Sequence, residues 1–137
     1  MLGEYAMKSR LPVLFAAAVW AICVPVSAHH SFVSVFDAES IIDASGTVTK
    51  VDWRNPHVWI YIDVDSESGE TGNWGFEMGS INALIRQGWS RKTVQVGDTI
   101  SVTGYRARDG SKRGNVNSLT LANGTELTGA SSNPEGN

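Results

Sequence analysis

The stretch HVWIYIDV (residues 57–64) alternates without a break: Val58, Ile60, Ile62 and Val64 fall on one side, and His57, Trp59, Tyr61 and Asp63 on the other. A period of two marks an extended strand, because successive side chains leave opposite faces of the pleat. The four β-branched residues form the expected core side, and the other side carries two large rings and a histidine. Before this strand, Asn55-Pro56 is a turn signal. After it, a polar loop over 66–72 gives way to a run in which Trp74, Phe76 and Met78 project together. The two runs are expected to pair as a hairpin.

The pattern continues on both sides. Residues 42–53 read as a long first strand, with Gly46 as its bulge or bend. Ser80 can cap a helix running through Gln87, with Ile81, Leu84 and Ile85 on one face and Gly88 ending it. Strands are then expected over 99–107 and 115–122, joined at Asp109-Gly110, with Asn123-Gly124 turning into a short run over 125–127. Three strands, a helix and two strands is the order of the OB fold, a five-stranded Greek-key barrel. The expected fold class is therefore all-β: a small five-stranded OB-like barrel with one short helix between strands three and four.

Ahead of the strands, Lys8 and Arg10 precede the uncharged stretch LPVLFAAAVWAICV (residues 11–24), and Val26-Ser27-Ala28 follows with small side chains. This is the order of a secretory signal, and the apolar stretch is too short to span a bilayer. Residues 1–28 are expected to be removed after Ala28, starting from either Met1 or Met7, which delivers a chain beginning at His29 to the periplasm. Cys23, the sole cysteine, would leave with the signal, and Ile22 before it does not suit lipid attachment. The mature chain would be one domain over 29–127 with an N-terminal arm over 29–40, followed by a disordered polar tail over 128–137. It would carry 13 acidic and 9 basic residues, a net charge of −4. That balance argues against a nucleic-acid binder.

Four segments stand out: HHSF at 29–32, WRNPH at 53–57, GW at 88–89 and GDTISVTGYRARDGS at 97–111. Together they resemble a family of small exported bacterial proteins of unknown function, over nearly the whole mature chain. The resemblance implies export and a single domain, and it brings no catalytic residues with it.

His29, His30 and His57 lie in or beside these segments. A mature N-terminal His29 would offer an α-amine and an imidazole to one metal ion, and a second histidine would complete a nitrogen-rich site favouring Cu(II), with zinc second. The apolar arm SFVSVF (residues 31–36), laid on the Trp59 and Tyr61 face, would bring His29 or His30 to His57. The alternative is two solvated terminal histidines and a turn histidine.

A metal-free reading rests on the rings of Trp53, Trp59, Tyr61, Trp74, Phe76 and Trp89, and on the basic hairpin tip of Arg106, Arg108, Lys112 and Arg113. Trp59, Tyr61, Trp74, Arg106 and Arg108 are its candidate ligand-binding residues, for a glycan, a small planar molecule or an anionic or protein partner. The alternative is that the rings are core and the tip is a solvated turn. No nucleophile elbow, phosphate loop or cysteine nucleophile occurs in the mature chain, and the acidic loop of Asp63, Asp65, Glu67 and Glu70 lacks calcium-loop spacing. The expectation is a periplasmic binding module rather than an enzyme, for a small molecule or another periplasmic protein, with no nucleic-acid partner and no membrane span after cleavage.

Overall fold

A computed structural model describes residues 28–65 and 69–131; the signal peptide expected over 1–28 lies outside them except for Ala28, as do residues 132–137 of the expected tail. Among the described residues the order is α1 (Ala28–Val35), β1 (Phe36–Asp52), β2 (Trp59–Val64), β3 (Gly72–Glu77), α2 (Ile81–Arg86), β4 (Thr99–Ala107), β5 (Arg113–Leu121) and β6 (Glu126–Thr128). No helix among them is long and apolar enough to cross a membrane.

The fold is mostly β, and its strands close into a ring. β1 pairs antiparallel with both β2 and β4, β2 with β3, and β4 with β5. The circuit closes where β3 meets β5 in parallel, with Gly75 opposite Arg113, Phe76 opposite Gly114 and Glu77 opposite Asn115. β6 adds to the free edge of β5. A Cβ on Gly114 would stand 2.9 Å from the Phe76 ring, so glycine is what lets the closing strands meet.

β1 begins six residues earlier than its sequence pattern indicates and serves two neighbours in turn. Its first part runs with β4 and its last with β2, and Gly46 is shared, opposite both Val64 and Ile100. A Cβ there would lie 2.0 Å from the Asp63 carbonyl oxygen. Gly46, expected as a bulge or bend, thus allows a close backbone approach, and the register shift between β1 and β2 falls between Val48 and Lys50.

The ring interior takes the side that the alternation assigned to it: Val58, Ile60, Ile62 and Val64 are buried, alongside Ile42, Val48, Phe76, Ile100, Val102 and Leu119. Each such side chain contributes about 1.5–3 kcal/mol by leaving water. α2 starts as the sequence indicates, with Ser80 Oγ accepting from the Ala83 amide at 3.3 Å. Its apolar face is narrower than expected. Leu84 is buried and Ile81 half-buried, but Ile85 is exposed, because the helix has only six residues and Trp89 folds back beneath it, its amide donating to Leu84 O at 3.0 Å.

Two further expectations are corrected. Residues 28–35 are helical, and the arm packs on β4 rather than on the Trp59 and Tyr61 face: Phe32 meets Tyr105 edge-on at 5.5 Å, in a cluster with Phe36 and Ala107. At the other end, the tail does not begin at 128. Gly129 donates to Asn117 O at 3.0 Å and accepts from the Gly79 amide at 2.8 Å, so residues 128–131 belong to the fold.

Gly46→Ala should lower the unfolding free energy by about 1–3 kcal/mol, the cost of forcing a methyl into a packed contact. The urea midpoint would fall at an unchanged slope; an unchanged midpoint would mean that β1 and β2 can part there without loss.

Candidate functional site

A cleft of about 320 Å³ opens where several chain segments converge. α1 and the start of β1 supply Phe32, Val35 and Phe36, the 55–57 turn supplies Pro56 and His57, β3 ends in it with Glu77, α2 adds Ala83 beside its cap Ser80, and Asn115 and Ser131 line it as well. The turn carrying His57 is fixed on both sides. Asn55 Oδ1 accepts from the Ile81 amide at 3.1 Å, tying the turn to α2, and Val58 exchanges backbone hydrogen bonds with Gly79 and Met78 at 3.1 and 2.8 Å.

His57 Nδ1 stands 3.0 Å from Glu77 Oε1. The His57 side chain is half exposed, whereas that of Glu77 is only 16% exposed. Burial pushes the Glu77 carboxyl above its ordinary range, and the nearby His57 and then Arg113 pull the other way. With Nδ1 directed at the carboxylate, Nε2 is the nitrogen left to meet a metal. Deeper in the cleft, the buried Asn115 accepts at Oδ1 from Ser131 Oγ at 2.6 Å, and Ser131 also donates to Val116 O at 3.3 Å.

The described residues contain no group of three or more His, Cys, Asp or Glu side chains placed to hold a metal. His29 and His30 lie in the first turn of α1, and their side chains are outside the description. Position 29 is three residues, less than one turn, before Phe32, which lines the cleft. The helix that carries the two histidines therefore borders the cleft that His57 borders.

The other expected ligand-binding residues do not converge. Trp59 and Tyr61 remain half-exposed with their rings 6.3 Å apart and 24° from parallel. Trp74 is only 3% exposed and stacks on Phe76 inside the ring, so it offers no open face, a correction to its expected role; its buried Nε1 has no hydrogen-bond partner among the described residues. Arg106 lies over the Trp74 ring and pairs with Glu70. Arg108 donates from Nε to Val33 O and Phe36 O at 2.8 and 3.0 Å and pairs with Asp37, pinning the α1–β1 junction. Arg113 pairs with Asp109 at 2.6 Å. The guanidinium groups of the basic tip are thus engaged within the chain.

Sequence reasoning passed over Glu77, Asn115 and Ser131. Glu77 carried a faint signal, as the one charge in the run of Trp74, Phe76 and Met78. Nothing local marks Asn115, and Ser131 fell in the expected tail.

The model of DUF6152, a family of unknown function, matches residues 17–117, well over half of the chain. No curated protein and no solved structure matches it.

The Asp109 carboxyl is held at about 2, chiefly by hydrogen bonds from the Ser111 side chain and backbone, and then by Arg113. A lowered pKa stabilises the fold above the unfolded value and loses that contribution as pH falls towards the folded one. Wild type should therefore exceed Asp109→Asn in urea midpoint at pH 7, and the gap should close between about pH 4 and pH 2. A gap constant across that range would separate Asp109 from the stability of the β4–β5 turn.

Proposed function

Since this chain belongs to DUF6152, a family of unknown function, we propose its role from its own geometry: an exported periplasmic binding module that holds Cu(II), with Zn(II) second, in the cleft beside His57. The observation that carries this reading is the 3.0 Å contact of His57 Nδ1 with Glu77. Ligating histidines commonly direct their second nitrogen at a carboxylate, which orients the ring and makes the ligating nitrogen more basic. His57 Nε2 is then one ligand, and the α-amine and imidazole of a processed His29 supply two more, with His30 adjacent. Phe32, Val35 and Phe36 give the cleft an apolar side opposite these polar groups.

An OB-like barrel is the architecture we assign. Its support is the strand circuit β1-β2-β3-β5-β4 and the placement of α2 between β3 and β4. Export is supported by the charged and apolar order of residues 8–28. Binding rather than turnover is preferred because the chain after Ala28 carries no nucleophile motif.

Cu(II) titrated into protein whose N-terminus is confirmed as His29 should bind one to one with nitrogen ligation. His57→Ala and His29→Ala should each abolish that binding, and Glu77→Gln should weaken it by about 10–100-fold. A chain that retains Ala28 should lose the amine chelate and bind far more weakly. Equal affinity in wild type and His57→Ala would overturn the assignment.

A further inference from the structure

The outer face of β2 poses a problem that the cleft does not solve. Trp59 and Tyr61 point away from a core that Val58, Ile60, Ile62 and Val64 already fill, and their large rings stay partly exposed. Their arrangement is ordered. The rings are near-parallel at 6.3 Å, follow the strand direction, and lean over Gly75, where a Cβ would come within 3.0 Å of the Tyr61 ring and 3.6 Å of the Trp59 ring. Glycine on β3 therefore lets both rings lie low across the sheet as one platform.

Along the next register position the face turns polar. Asn73 Nδ2 donates to Asp63 Oδ1 at 2.8 Å and to Thr49 Oγ1 at 2.9 Å, all three residues being exposed. This cross-strand bridge holds the side chains in fixed positions while Asn73 Oδ1 and Asp63 Oδ2 stay able to accept further hydrogen bonds. Lys50, 60% exposed, places its ammonium 5.0 Å from the Tyr61 ring centroid and adds a donor.

We propose that this face is a carbohydrate-binding site that takes two consecutive pyranose units of a neutral oligosaccharide. One side of a pyranose ring is a patch of C–H groups suited to an aromatic face, and its rim is a set of hydroxyls suited to carboxylate, amide and ammonium groups in fixed places. Two rings aligned along one strand match two successive sugars. A flat aromatic ligand would be better held between two facing walls, and the face offers only one. A polyanion is disfavoured by the net charge of −4 after Ala28. This site uses none of the proposed metal ligands, so the two assignments stand or fall separately.

The test is calorimetric and fluorescence titration of the chain beginning at His29 with cellohexaose, chitohexaose and maltohexaose. At least one should bind saturably and shift the tryptophan emission. Trp59→Ala and Tyr61→Ala should each weaken it by about tenfold or more, Asn73→Ala should weaken it without altering the fold, and His57→Ala should leave it unchanged. Failure of all three sugars to bind at millimolar concentration would overturn the proposal, as would an affinity untouched by Tyr61→Ala and Asn73→Ala. The last two variants decide the matter even if Trp59→Ala does not fold.

Discussion

Everything distinctive in this molecule depends on three residue pairs, Gly75 with Arg113, Phe76 with Gly114, and Glu77 with Asn115, where two strands far apart in the chain meet in parallel. Without them the strands would form an open sheet with two edges, and edges invite pairing with other chains. The contact also assembles the cleft. It sets the Glu77 carboxyl next to Asn115 and within electrostatic reach of Arg113, while β2, paired with β3 through Trp59 and Glu77, carries His57 in from the other side. The approach is close enough to require glycine at 114, so a residue with no side chain places the side chains that matter.

How far this was readable beforehand depended on the range of the forces involved. The core side of residues 57–64 was legible because alternation is a local consequence of pleating. Ser80 was legible as a cap because its hydroxyl serves amides three residues away. The docking place of the arm is not legible. Its apolar residues announce that they must be buried, but only the fold shows that Tyr105, some seventy residues on, is what Phe32 finds. The glycine at 46 was visible while its purpose was not, since a bulge and a close approach leave the same mark in one sequence. Residues 128–131 looked like solvated tail because their structural role rests on backbone bonds to Asn117 and Gly79, which composition does not encode.

Charge was the least transparent property. Arg106, Arg108 and Arg113 crowd one turn in the sequence and suggest a patch seeking a partner, yet their partners are Glu70, Asp37 and Asp109 in the same chain. Conversely, Glu77 is inconspicuous in a run of rings, although burial beside a half-exposed histidine raises its carboxyl above the ordinary range. In both cases the sequence shows the charge, and the environment that sets its behaviour belongs to the fold.

The last described residues carry a consequence for how the chain folds. Gly129 is clamped between Gly79 and β5, and Ser131 hydrogen-bonds to Asn115 at the cleft. β1, β2 and β3 can pair with one another as soon as the first half of the chain is present, but β1 still waits for β4, and β3 for β5, before the ring can close. Such long-range pairing folds slowly, since loop closure must precede its reward. A chain emerging from its N-terminus could therefore lay down β1, β2 and β3 early, but the ring would stay open until β4 and β5 are available, and residues 126–131 would act as its latch.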